Sequence, residues 1–224
     1  MPKLLDLYSG AGGAAYGYHL AGFEDITGVD IAPQKHYPFR FVQADALEYL
    51  AEHRREYDAI HASPPCQAYV DSANKSKHPR LIEPTRECLR QSGLPWVIEN
   101  VDCAPLVNPL LLCGTMFGLR VIRHRLFEMS HPVYFPPASC CHWGKVQNGD
   151  FAGVYGRGAR AARYTDKHGR QNRWGKVPEG VELLSFWSAA MGIDWMNRKE
   201  LTQAIPPAYT CFVGAQLLKI ASRL

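Results

Sequence analysis

The chain has 224 residues and a mass of 25.1 kDa, enough for one α/β domain or one domain with a small appendage. Apolar residues make up 46% and charged residues 21%, which suits a soluble protein with a real core, and no apolar run approaches the roughly 20 residues of a membrane span. The net charge of +4 excludes little. Met1-Pro2-Lys3-Leu4-Leu5-Asp6 has an acid where a signal peptide needs a longer apolar stretch, so neither export nor membrane insertion is expected. The seven cysteines, with Cys140 and Cys141 alone clustered, give no disulfide framework, and a reduced, cytoplasmic protein is expected.

Leu4–Tyr8 is an apolar run entering a glycine cluster, the pattern of a buried strand and a tight turn. Ala14–Leu20 reads as a helix, Ile26–Ile31 and Phe39–Gln43 as strands, and Ala46–Arg54 as a helix ending in basic residues. Tyr57–Ala62 reads as a fourth strand, Pro84–Gln91 as a helix and Trp96–Glu99 as a fifth strand. Strands alternating with helices imply a parallel sheet with crossovers. From Ser130 to Pro178 the alternation is lost, as in an insertion; Glu182–Met191 and Ala208–Leu224 then read as helices. There is no internal repeat.

Open parallel sheets bind ligands beyond the carboxyl ends of their strands. The polar clusters of this chain fall there: Asp6–Gly13, Asp30, Asp45, Cys66 and Glu99-Asn100. Gly10-Ala11-Gly12-Gly13 lets a ligand approach the backbone at a helix N-terminus, and Asp30 follows at a distance suited to ribose hydroxyls. Taken alone, these residues fit a dinucleotide, an adenosylmethionine site or a turn without a ligand. In Ser63-Pro64-Pro65-Cys66-Gln67 two prolines fix the backbone before a cysteine, which nearby cations would turn into a nucleophile. Glu99, at the mouth of a buried strand, should have a raised pKa, and Arg123-His124-Arg125 offers it partners. His61 reads as a core histidine within reach of the same loop. Cys140-Cys141-His142, with His131 nearby, matches no standard zinc spacing and shows no second ligand pair, so no metal is expected. Between Phe151 and Pro178 seven basic residues (Arg157, Arg160, Arg163, Lys167, Arg170, Arg173, Lys176) face one acid, Asp166, with Tyr155, Tyr164 and Trp174 interleaved, a pattern suited to phosphates and unstacked bases.

Pro64-Pro65-Cys66-Gln67 with Glu99-Asn100-Val101 resembles the DNA (cytosine-5) methyltransferase family. Asp6-Leu7-Tyr8-Ser9-Gly10-Ala11-Gly12-Gly13 is similar to that family's first cofactor motif and Arg123-x-Arg125 to its arginine motif. Ala190-Met191-Gly192-Ile193 and Gln203-Ala204-Ile205-Pro206-Pro207 are similar to its two C-terminal motifs. The matches run in family order over nearly the whole chain, and the compact form resembles phage or prophage members. Val121 and Gln203 stand where the family usually has Gln and Asn.

The resemblance implies an α/β, Rossmann-like class I methyltransferase fold with a mostly parallel twisted sheet flanked by helices. It implies a cofactor-binding and catalytic domain over 1–130, a small basic target-recognition insertion over 131–178, and a C-terminal segment over 179–224 packing back on the domain. Cys66 would attack C6 of a flipped cytosine, Glu99 would engage N3, Arg125 would bind O2, and Arg123 would support the site or a phosphate. S-adenosyl-L-methionine would lie against Asp6, Tyr8, Gly10, Gly12, Gly13, Asp30, Ile31, Asp45, Ala46, Pro65, Gln203 and Ala204, leaving S-adenosyl-L-homocysteine. Gln67 and the basic residues Arg157, Arg160, Arg163, Lys167, Arg170 and Arg173 would contact DNA. A bacterial host cytoplasm, restriction-modification or phage DNA protection, and a monomer are all compatible with this family. The alternatives are a tRNA cytosine-5 methyltransferase of the same family and a non-catalytic DNA-binding member.

Overall fold

The computed structural model describes residues 2–70, 75–132, 137–154, 164–165, 171–172 and 177–221. In chain order these form β1 (Lys3–Leu7), α1 (Gly13–Ala21), β2 (Asp25–Asp30), β3 (Arg40–Gln43), α2 (Ala46–His53), β4 (Ala59–Ala62), α3 (Ile82–Ser92), β5 (Trp96–Asn100), β6 (Leu110–Leu112) and β7 (Arg125–Met129). A two-residue hairpin pair follows, β8 (Tyr164–Thr165) and β9 (Gln171–Asn172). The helices α4 (Leu183–Met191), α5 (Arg198–Leu201) and α6 (Pro207–Ala221) complete the chain.

Seven strands make one sheet in the order β3-β2-β1-β4-β5-β7-β6. The first five are parallel; β7 runs antiparallel to both β5 and β6. The α/β, mostly parallel expectation is met. The chain builds outward from β1 to β3, then crosses back to lay β4 on the other side of β1. That reversal opens a crevice at the carboxyl edge between β1 and β4.

The central strand is apolar on both faces because both are covered. Leu4 packs with Tyr18, Tyr209, Val213 and Leu217 of α1 and α6. Leu5 and Leu7 pack on the opposite side with Tyr49, Leu50 and Leu89 of α2 and α3. α1 and α6 lie in contact because Gly17 carries no side chain: a Cβ there would overlap Thr210 Oγ1 and Pro207 O. Thr210 Oγ1 donates to Ala14 O across the seam at 2.8 Å. α2 starts where Asp45 Oδ1 accepts from the Leu47 and Glu48 amides, satisfying N–H groups that a helix start leaves without partners.

A third core joins Ala11 of the glycine loop to Val121, Ala152, Val154, Trp187, Met191, Leu201 and Ala204. It seats α4 and α5 against the carboxyl edge. Ala152 and Val154, assigned by sequence to the basic insertion, are buried in it. Among the described residues no helix is long and apolar enough to cross a membrane.

Candidate active site

The glycine loop leaves β1 through two left-handed residues, Tyr8 (φ 56°) and Gly10 (φ 50°), and enters α1 through a third, Gly12 (φ 83°). The space above Gly10 is open, whereas a Cβ on Gly12 would strike Pro38 and Tyr37, and one on Gly13 would meet Ile205 O at 2.5 Å. Gly10 is thus the glycine left clear for a ligand, while Gly12 and Gly13 make room for the protein itself. Asp30, at the end of β2, is already oriented: Oδ2 accepts from Gly10 N at 3.0 Å and Oδ1 from Ala32 N at 3.0 Å. Beside it Ile31 is 74% exposed, a flat apolar surface next to a carboxylate. These features suit a ligand with ribose hydroxyls and a planar base.

Other residues expected at the cofactor are placed differently. Asp6 is wholly buried beneath Tyr37, whose hydroxyl donates to Asp6 Oδ2 at 3.1 Å, and burial pushes the Asp6 carboxyl well above its ordinary value. Asp6 thus holds Tyr37, which packs against Gly12 of the loop. Ala46 is likewise buried, in the first turn of α2. Asp45 is exposed and caps α2 with Oδ1. Tyr8 packs half-buried against the α2–α3 side, its hydroxyl 3.1 Å from Thr85 Oγ1. Pro65 is half-buried and Gln203 exposed. Ala204 is buried, with its Cβ 3.4 Å from the Cβ that a side chain on Gly13 would carry. Trp195 Nε1 donates to Ala11 O at 2.9 Å and its ring lies 4.8 Å from that of Tyr16, a brace on the loop that the sequence reading missed.

The chemical end stands across the crevice. Asn100 Nδ2 donates to Pro64 O at 2.7 Å, bolting the proline corner to the end of β5. Cys66 follows that corner, half-buried, at the start of a 3-10 turn. Glu99 on β5 is 5% exposed, and Arg125 Nε lies 3.0 Å from its Oε1. Burial raises the Glu99 pKa; Arg125, a hydrogen bond from Ser63, and Arg123 oppose this. The Cys66 thiol is also pushed up, by burial foremost and by the Glu99 charge, against the pull of Arg125 and Arg123. Nearby cations would make Cys66 a stronger nucleophile only by lowering its pKa; here burial wins, and the resting side chain is a thiol.

Behind Glu99 runs a buried hydrogen-bonded line. Ser63 Oγ is 2.8 Å from His61 Nε2, and His61 Nδ1 is 2.9 Å from the Tyr18 hydroxyl. His61 is wholly buried and its pKa falls to about 3, so the ring is neutral. Sequence gave His61 as a core residue near the loop, and it is both. Ser63, Tyr18 and Asn100 were not singled out, because their value lies in contacts between distant strands.

Arg123 is buried. Its guanidinium donates to Val154 O at 2.9 Å and Thr202 O at 2.8 Å, and its own carbonyl accepts from Tyr209 Oη at 2.6 Å. It ties the arginine segment to the start of the basic stretch and to the C-terminal segment. Val121 is packed into the third core against Gly114. Gln67 is exposed next to Cys66. Arg157, Arg160, Arg163, Lys167, Arg170 and Arg173 lie outside the described residues.

No family model matches the chain. In sequence it is 33% identical over 78 residues to the type II methyltransferase M.FnuDI of Fusobacterium nucleatum, a match that spans 32% of this chain and 23% of that protein. In structure it superimposes with a TM-score of 0.62, at 15% identity, on an Escherichia coli prophage protein assigned as a DNA modification methyltransferase, covering 99% of this chain and all of that one. The Schizosaccharomyces pombe Dnmt2 methyltransferase follows at 0.60 and 13% identity over 98% of this chain and 99% of that one. The Entamoeba histolytica methyltransferase EhMeth gives 0.58 and 14% identity over 100% and 98%. The fold is that of the Rossmann-like methyltransferases, and the sequence match is to a methyltransferase as well.

Proposed function

We propose that the chain is an S-adenosyl-L-methionine-dependent DNA (cytosine-5) methyltransferase. The observation that carries the reading is the grouping of Cys66, Glu99 and Arg125 at one crevice, opposite a loop whose open Gly10 and aligned Asp30 suit an adenosyl group.

Cytosine C5 is a weak nucleophile, and covalent addition at C6 is the way to activate it. Cys66, held rigid by Pro64, Pro65 and Asn100, adds as the thiolate to C6 of a cytosine turned out of the duplex. Glu99, whose pKa burial raises, hydrogen-bonds N3 and offsets the charge developing on the ring. Arg125 takes O2 and holds Glu99 in place. S-adenosyl-L-methionine, which Gly10, Asp30, Ile31, Tyr8, Asp45, Pro65, Gln203 and Ala204 would hold, would supply the methyl group to C5 and leave as S-adenosyl-L-homocysteine. Loss of the C5 proton then expels Cys66 as the thiolate. Arg123 acts through position, by tying Val154 and Thr202 to the arginine strand. Gln67 and the basic stretch meet the DNA, with 131–178 serving as the recognition insertion between 1–130 and 179–224. A bacterial cytoplasm and a role in DNA modification accord with this reading.

The test is bisulfite sequencing of plasmid DNA from a methylation-free bacterial host expressing the protein, with Cys66→Ser as the control. Protected cytosines in the wild type alone, in one sequence context, are the expected result. Unprotected DNA from a soluble, folded wild type overturns the DNA assignment and moves the substrate search to tRNA.

A further inference from the structure

The loop of Cys140 and His142 meets two residues far from it in sequence. Cys113 immediately follows β6 and is wholly buried; His124 lies immediately before β7, between Arg123 and Arg125. One ligand atom from each of Cys113, His124, Cys140 and His142 lies within 4.8 Å of every other. Cys113 Sγ is 3.4 Å from His142 Nε2, and Cys140 Sγ is 3.9 Å from His124 Nε2. The two imidazoles are stacked, with centroids 5.1 Å apart and planes at 29°. Tetrahedral zinc with Zn–S near 2.3 Å and Zn–N near 2.0–2.1 Å would set sulfur–nitrogen separations of roughly 3.5 Å and nitrogen–nitrogen separations of roughly 3.4 Å. The two sulfur–nitrogen distances, 3.4 and 3.9 Å, already fall around the first value, and the other pairs lie within 4.8 Å.

We propose that Cys113, His124, Cys140 and His142 form a structural zinc site. Two thiolates and two neutral imidazoles make a closed mixed sulfur–nitrogen set, which favours zinc over the hard cations that take oxygen ligands. The two thiolate charges cancel the charge of the ion, and binding releases the two thiol protons. A second layer is in place: Thr115 Oγ1 is 3.4 Å from Cys113 Sγ and accepts from the Cys141 amide at 3.3 Å. His131, the sequence neighbour that looked like a further ligand, is turned away, its Nδ1 2.8 Å from Ser130 Oγ. The sequence reading, with no metal expected, saw half of this set, because the other half arrives from a hairpin 16 and more residues upstream. The ion would pin residues 137–154 to the β6–β7 hairpin and hold His124, hence the flanking arginines, at the crevice.

The test is metal content and cobalt spectroscopy on the full chain, neither of which needs catalytic activity. The purified protein should carry about one zinc per chain, and cobalt exchange should give the visible bands of a tetrahedral thiolate–imidazole complex. Cys140→Ser and His142→Ala, at partly and fully exposed positions that should not prevent folding, should lose both signals. Cys141→Ser, one residue away and outside the cluster, should keep them. A folded wild type that gives no tetrahedral cobalt spectrum overturns the proposal. So do full metal retention in Cys140→Ser and His142→Ala, and equal loss in Cys141→Ser.

Discussion

One cation serves two acids at the crevice. Arg125 pairs with Glu99 at 3.0 Å and also draws down the Cys66 thiol, while Glu99 pushes that thiol up. Neutralising Glu99 leaves the pull of Arg125 on the thiol less opposed, which favours the thiolate. The line behind Glu99 has a fixed polarity if Ser63 donates to the carboxylate: His61 Nε2–H then donates to Ser63, and Tyr18 donates to His61 Nδ1. The neutral His61 keeps this direction across the working pH range. The prediction concerns alkylation of Cys66 by iodoacetamide, followed by peptide mass mapping at a pH near the ordinary thiol value of 9.0. Glu99→Gln should speed it several-fold by removing the opposing charge, and Arg125→Gln should slow it. Equal rates in all three proteins would mean that burial alone sets the thiol.

At the scale of elements, α3 is fastened to β7 through a buried ion pair. Arg86 Nε and Nη2 donate to the two oxygens of Glu128 at 2.7 and 2.8 Å. Arg86 also donates to Glu83 and to Pro105 O, and the Val107 amide donates to Glu128. Each buried polar atom of the pair is answered, so removing one member leaves a stranded charge. Glu128→Ala should cost about 3–5 kcal/mol of unfolding free energy in urea titration. The paired replacement Arg86→Met with Glu128→Leu should cost clearly less, and an equal or greater loss there would show that the bond geometry, rather than the stranded charge, matters. This pair also marks where sequence reading stopped. The parallel strands and their helices were legible because burial on both faces makes continuous apolar runs between turn residues. β6 and β7 were not: Leu110–Leu112 is three residues long, and Arg125–Met129 begins with an arginine and carries Glu128 inward, so neither has a strand's pattern. The edges that bear Cys66, Glu99 and Asp30 were legible from strand ends, whereas Ser63, Asn100 and the Cys113–His124 pair depend on register between distant segments.

For the molecule as a whole, the question is how a chain of net charge +4 would hold a polyanion at one edge. The basic stretch starts and ends on the third core. Val154 is buried there and bound through its carbonyl to Arg123; Val177 packs on the same core after the last basic residue, Lys176. The seven cations between these two anchors lie outside the described residues, and on the proposed function they are the expected DNA contacts. Affinity should then come mainly from phosphates and depend steeply on salt. Binding of a duplex oligonucleotide across a salt series should give a log–log slope that falls by up to about 0.9 for each of Arg157, Arg160 and Arg163 changed to Gln. Melting temperature is measured alongside, so that a loss of folding is told apart from a loss of phosphate contacts. A slope unchanged in the triple variant would move the DNA contact away from this stretch, to the exposed Gln67 loop and the rim of the crevice.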